Sequence, residues 1–187
     1  IPDLIQHLGV LDLTAYTQNE KWPRNLFDEA LRLYPIDHDE GCGNAICHRS
    51  TFLYGLLYEH AQLNESLHSN LQELFGVHDV ELFRHLAAMA RAGEVVDAEG
   101  RDIYLSGTNG AKGLEGMRMP IGFIHGDRNE TYLPRSTQLT YDMLVRQFPE
   151  QPYERHLIPG YGHIDCIFGK NAVVDVYPVI ARYLDAH

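Results

Sequence analysis

Two short runs, the apolar MPIGFIHG at 119–126 and YERHLIP at 153–159, constrain this chain more than any other feature. Each is too short for a core helix and is closed by Gly or Pro. Both therefore read as buried strands of the kind that parallel sheets use. The stretch 135–148 between them has a helical pattern. The tail VVDVYPVIARYLDAH places Val173, Val176, Tyr177, Ile180, Tyr183 and Leu184 on one helical face. Pro178 inside that tail predicts a kink or a restart, because proline removes a backbone donor and clashes with the preceding turn. Residues 118–187 thus read as strand, helix, strand, helix, the order of an α/β fold. Its two strands are expected to pair in parallel through a right-handed crossover.

Upstream the periodicity is helical. RNLFDEALRLYP repeats Leu26, Phe27, Ala30, Leu31 and Tyr34 and stops at Pro35. NAICHRSTFLYGLLYEHAQL can start a helix at Asn44 and run through Phe52, Leu53, Leu56 and Leu57. NESLHSNLQELFG, with Leu63 just before it, repeats Leu63, Leu67, Leu71 and Leu74 and ends on Gly76. DVELFRHLAAMARAG has a cap in Asp79, a face of Leu82, Phe83, Leu86, Met89 and Ala90, and a stop in Gly93. EVVDAEGRDIYL predicts a hairpin turning at Glu99–Gly100. The expected organisation is a mainly helical region over 1–106, a glycine-rich connector over 107–117 and the α/β segment over 118–187.

With 187 residues, 44% hydrophobic and 22% charged, the chain has material for one globular core. No apolar run approaches the ~20 residues of a membrane span. A net charge of −11, spread along the chain, repels nucleic acid and anionic membranes and argues against both as partners. Three cysteines, Cys42, Cys47 and Cys166, are too few for a disulfide framework, which favours a reducing, cytoplasmic setting. The opening IPDLIQHLGV has no initiator methionine and begins mid-pattern, as expected of a piece of a longer protein.

In open α/β sheets, functional residues gather at the carboxyl ends of the strands. Here His125, Gly126, Asp127, Arg128 and Asn129 follow a strand expected to end at Ile124, and His163 follows one ending near Ile158. A strand-end acid or amide, followed at a distance by a strand-end histidine, is the layout of a nucleophile–acid–histidine triad. The histidine takes the nucleophile's proton while the earlier residue fixes its tautomer. His163 is the candidate base; Asn129, Asp127 and Asp165 are the candidate orienting groups. The alternatives are a loop histidine on a backbone carbonyl, a turn-forming Asn129, a solvated Asp127 and an Asp165 that caps the next turn.

These residues carry a resemblance. FIHGDRNETYLP is similar to the strand-seven hGxxDxxxP segment of α/β-hydrolases, and PGYGHIDCIFGKNAVVDVYPVI to their GH segment, in a form found among acid lipases. More specifically, CHRSTFLYGLLYEHAQLNESLH, HLAAMARAGEVVDAEGRDIYL and GYGHIDCIFGKNA resemble the hydrolase-like C-terminal region of certain cholesterol-oxidase-like glucose–methanol–choline oxidoreductases. The likeness runs from about residue 40 to the end. It implies a partial α/β-hydrolase fold, with a helical lid-type region followed by the β-α-β-α segment of a parallel sheet. It also implies an FAD-binding oxidoreductase part upstream as the partner in the same chain, and an apolar small-molecule or ester substrate. No cofactor is expected within these residues, which lack GxGxxG.

Two departures stand out. Asn129 occupies the acid position of the hydrolase pattern, and no GxSxG nucleophile elbow occurs. The five serines, Ser50, Ser66, Ser69, Ser106 and Ser136, fall in helical patterns, caps or a hairpin end. The nucleophile of an active module is therefore expected upstream, and this piece alone is expected to be inert. A non-catalytic module for docking or ligand binding is the other expectation. CGNAICH, with His60 and His68 downstream, suggests zinc by residue type. Its C-x₄-C spacing and scattered histidines argue instead for two buried thiols or a Cys42–Cys47 disulfide. Arg49 and Tyr54 read as a surface charge and a core aromatic. Finally, the unpaired sheet edge, or the tail face of Val173, Val176, Ile180 and Leu184, predicts that the piece dimerises.

Overall fold

The computed structural model describes residues 12–14, 30–31, 33–36, 41–105 and 113–187. In chain order its strands are β1 (Asp12–Thr14), β2 (Val77–Asp79), β3 (Ile121–Gly126) and β4 (Tyr153–Ile158). The helices are α1 (Ala45–Tyr54), α2 (Glu65–Ser69), α3 (Val80–Ala92), α4 (Pro134–Gln147), α5 (Asp165–Phe168), α6 (Ala172–Asp175) and α7 (Tyr177–Ala186). Short 3₁₀ turns lie at His60–Gln62, Leu71–Glu73 and Gly113–Met117. None of the described helices is long and apolar enough to cross a membrane. Most of the helix expected over 24–35 lies outside the described residues; only Ala30 and Leu31 are seen in helical conformation.

The chain divides into two compact units, Ile1–Thr14 with Gly76–Met119, and Ala15–Phe75 with Pro120–His187. In the first, β1 and β2 pair antiparallel, Leu13 opposite His78. Asp79 caps α3 by accepting from the Glu81 amide, and Gly93 ends it in the left-handed region at φ 74°. Both boundaries follow from the residue types, an Asx acceptor at the start and a glycine free of Cβ strain at the end. The anticipated hairpin after it is a turn without flanking strands. Asp97 accepts the backbone N–H of Glu99 and Arg101 at 3.1 and 2.8 Å, closing the loop through its side chain. An Asx turn of this kind satisfies the backbone locally and needs no ladder.

The second unit contains the parallel pair. β3 and β4 run side by side in the register Ile121↔Tyr153 to Gly126↔Ile158, with α4 as the connection. The chain is thus mixed helix and strand, with a two-stranded parallel sheet among the described residues. β3 continues two residues past the expected end at Ile124, so His125 and Gly126 belong to the strand. Pro134 opens α4 at the position where a missing N–H costs nothing. Arg155 of β4 reaches that end of the helix, donating from Nε to Thr137 Oγ1 at 3.0 Å and from Nη2 to the Pro134 carbonyl at 2.8 Å.

Two small cores hold this unit. Ile158, Tyr161, Cys166, Ala172 and Val176 form one, with Ile124 and Ile180 packed on it. Cys47, Tyr58, Leu63 and Leu71 form the other, backed by Leu57, Leu67 and Ile164 among others. The helix after Asn44 is shorter than its apolar run suggested. Asn44 caps it by accepting from the Ile46 amide, but Gly55 at φ 84° ends it, leaving Leu56 and Leu57 outside the helix. Likewise 64–76 is not one helix: Asn64 caps α2, which stops at Ser69, and a 3₁₀ turn follows. At the tail, α6 ends before Val176 and α7 restarts with Pro178 in its first turn. That break turns the expected apolar face apart. Val176 is fully buried, whereas Val173 and Leu184 are 63% and 68% exposed.

Candidate functional site

The loop carrying His163 leaves β4 and lies directly over the end of β3. Gly126 permits this. A Cβ there would sit 2.1 Å from the carbonyl oxygens of both Tyr161 and Gly162, so only a residue without one lets the two backbones cross. Gly160, at φ 74°, makes the turn that starts the loop. On its other side the loop is held by the chain after α1. The His163 and Ile164 amides both donate to the Leu57 carbonyl, at 3.0 and 2.9 Å. Gln62 Nε2 donates to the Gly160 carbonyl at 3.0 Å, and the Lys170 amide to the Gln62 carbonyl at 2.6 Å.

His163 and Asn129 meet: Nδ1 of the ring lies 3.1 Å from the Asn129 amide nitrogen. The amide's orientation is fixed by its other end, since Asn129 Oδ1 accepts the Tyr132 N–H at 2.9 Å. Flipping the amide would put two N–H donors face to face. Asn129 therefore donates to Nδ1, and the single proton of a neutral imidazole sits on Nε2. Asn129 is 4% exposed and His163 half-buried, with the Tyr132 ring packed 5.1 Å from the imidazole centroid.

The two carboxylates go elsewhere. Asp127 Oδ1 accepts the Gly160 amide at 2.7 Å, and its own amide donates to the Ile158 carbonyl, lacing the ends of the two strands. Asp165 is fully buried. Its Oδ2 accepts from the amides of Gly162 at 2.9 Å and Glu59 at 3.3 Å, joining the His163 loop to the chain that follows α1. Each carboxylate accepts backbone N–H groups, a strong charge-assisted arrangement. Of the four candidates, the structure brings together His163 and Asn129 and gives Asp127 and Asp165 backbone amides to hold.

His125 adds a second imidazole nearby. It is 5% exposed, donates from Nε2 to the Tyr132 carbonyl at 2.8 Å, and lies 3.2 Å from Thr137 Oγ1 through Nδ1. Burial, and then the charge of Arg155, hold its pKa below the usual 6.5, although the Tyr132 carbonyl works the other way. His163 is also lowered, first by burial and then by the proximity of His125. In the unfolded chain both recover ordinary values, so below pH 6.5 that state binds protons more readily than the folded one. Stability from these two groups is thus present above 6.5 and is lost as pH falls through it towards the lower folded-state values. The melting temperature is expected to fall by a few degrees between about pH 7.5 and about pH 5.5. His125→Gln should flatten the curve. An identical slope in that variant would remove His125 from the account.

A second cluster of reactive side chains lies in the other core of the same unit. Cys42, Cys47, His60 and His68 each direct one ligating atom into a volume where all four lie within 4.8 Å of one another. Both cysteines are free thiols, so of the two expected arrangements the disulfide is not formed, and of the thiols Cys47 is buried and Cys42 partly so. Cys47 faces inward from the first turn of α1, and Cys42 precedes the cap. The 3₁₀ turn starting at His60 and the end of α2 at His68 fold the two histidines back on the thiols, with ring centroids 5.2 Å apart. His68 Nε2 is 3.1 Å from Cys47 Sγ and 3.4 Å from Cys42 Sγ.

No family model matches this chain, and neither a curated protein nor a solved structure matches it.

Proposed function

We propose that the chain is the hydrolase-like C-terminal module of a cholesterol-oxidase-like parent, and that it binds an apolar ligand without performing covalent hydrolysis. The module type rests on the segments at 47–68, 85–105, 123–134 and 159–180 that resemble that group. The orientation of the Asn129 amide is the observation that carries the non-catalytic reading. A general base must accept the nucleophile's proton at Nε2, and in a triad its partner accepts a hydrogen bond from Nδ1–H. Here the neutral ring has its proton on Nε2, and an imidazolium would set Nδ1–H against the Asn129 NH₂. His163 is then a donor, suited to a ligand oxygen. No residue of this chain is assigned to the flavin of the parent, because the chain has no GxGxxG turn.

The competing reading, an active ester hydrolase with His163 as base and an upstream nucleophile, is distinguishable. Ring ¹⁵N shifts of His163 in the present chain should report a protonated Nε2 and a bare Nδ1. In the parent chain, turnover of p-nitrophenyl esters should be the same with and without His163→Ala. Loss of a triad's function lowers turnover by about 10³-fold or more. A fall of that size, or a proton found on Nδ1, would establish the hydrolase reading instead.

A further inference from the structure

We infer that Cys42, Cys47, His60 and His68 form a structural zinc site. The inference does not depend on the functional reading above. Two sulfurs and two imidazole nitrogens are a donor set that zinc binds tetrahedrally. Zn–S bonds of about 2.3 Å and Zn–N bonds of about 2.0–2.1 Å require donor atoms roughly 3.3–3.8 Å apart. The two sulfur–nitrogen separations of 3.1 and 3.4 Å already fall near that range, and the whole set fits within 4.8 Å.

Donors reach both sulfurs, and at Cys47, where burial raises the thiol, the Tyr58 hydroxyl works against that rise. Cys47 Sγ accepts from the Tyr58 hydroxyl at 3.2 Å, and Cys42 Sγ accepts from the Asn44 amide at 3.4 Å. Asn44 Nδ2 in turn donates to the His68 carbonyl at 3.0 Å, fixing the end of α2 against the start of α1. Such outer hydrogen bonds orient metal ligands and stabilise their charge. Without a cation, two thiols converge on one ring nitrogen, which has a single proton or a single lone pair to offer. A cation at the centre would satisfy all three by replacing the thiol protons, which pass to solvent as it binds. Cys47 is fully buried and packs with Tyr58, Leu63 and Leu71, so four protein donors would close the shell and leave no position for substrate. That is the character of a structural rather than a catalytic zinc.

The site would brace the ceiling of the His163 loop. The chain between Cys47 and His60 includes Leu57, whose carbonyl holds the His163 amide, and Glu59, whose amide donates to Asp165. The full chain, purified without chelator, should carry about one zinc by elemental analysis. Cobalt replacing zinc should give the d–d and thiolate charge-transfer absorption of a tetrahedral site. Cys42→Ser and Cys47→Ser should each lose metal and the cobalt spectrum. His68→Cys, which keeps a ligand, and Cys166→Ser, outside the cluster, should keep both. Should the serine variants not fold, the wild-type cobalt spectrum decides. Zinc below about a tenth per chain with no cobalt spectrum on titration, or zinc retained in both serine variants, would overturn the site.

Discussion

Gly126→Ala is expected to lower the stability of the chain by about 3 kcal/mol or more, the upper range for forcing extra atoms into a packed site. The new methyl carbon would stand 2.1 Å from two carbonyl oxygens and 2.5 Å from the Tyr161 carbonyl carbon. All three are backbone atoms, which cannot swing aside as the end of a side chain can. Relief requires β3 and the loop at 161–163 to separate. That motion would break the bond from the Arg128 amide to the Tyr161 carbonyl, now 3.0 Å, and part Asn129 from His163. Urea unfolding of the wild type and the variant measures the change, and ring shifts of His163 report the displacement. A loss under about 0.5 kcal/mol, within the range of neutral surface changes, would show that the crossing is looser than described.

Asp165→Ala is expected to cost about 2–6 kcal/mol, from two backbone amides losing their acceptor at roughly 1–3 kcal/mol each. Oδ2 holds the N–H groups of Gly162 and Glu59, and the side chain is fully buried. Asp165→Asn retains an acceptor oxygen in nearly the same place and should cost less. Amide hydrogen exchange distinguishes this cause from general loosening, because Gly162 and Glu59 should lose protection before the strand amides of β3 and β4. Equal stability of Asp165→Ala and wild type would remove the carboxylate from the joint between these segments.

Local rules made some of this structure legible in the sequence. Asn44, Asp79 and Gly93 mark helix ends because their side chains, or the lack of one, act on backbone groups a few residues away. The parallel pairing of 121–126 with 153–158 follows from two short strand-like runs separated by one helix, although only two residues of each strand are buried. The meeting of Asn129 and His163 follows from the same unit, since both sit just past strand ends. The orientation of the Asn129 amide could not be read, because it depends on the Tyr132 N–H. Nor could the destinations of Asp127 and Asp165, which turn on amides exposed by the particular path of the loop.

The Cys/His cluster was hidden for a different reason. Its spacing, Cys42, Cys47, His60, His68, does not resemble a zinc finger, and the converging geometry arises only because Gly55 stops α1 early. A helix continuing through Leu56 and Leu57, as their periodicity suggested, would have carried His60 onward along its axis. Instead the chain turns back through two short helical pieces. A single glycine at positive φ separates the expected arrangement from the observed one.

The second unit is discontinuous in sequence: the chain leaves it after Phe75 and re-enters at Pro120. Loop-closure entropy grows only with the logarithm of loop length, about 0.6 kcal/mol for each doubling. Lengthening or shortening the intervening stretch therefore changes little for the unit that brackets it. The opposite holds at 57–62 and 160–170, where backbone bonds interlock residue by residue. One residue gained or lost there would shift every later partner out of register. Related chains that keep the second unit should thus differ more in length between positions 75 and 120 than in those two short segments.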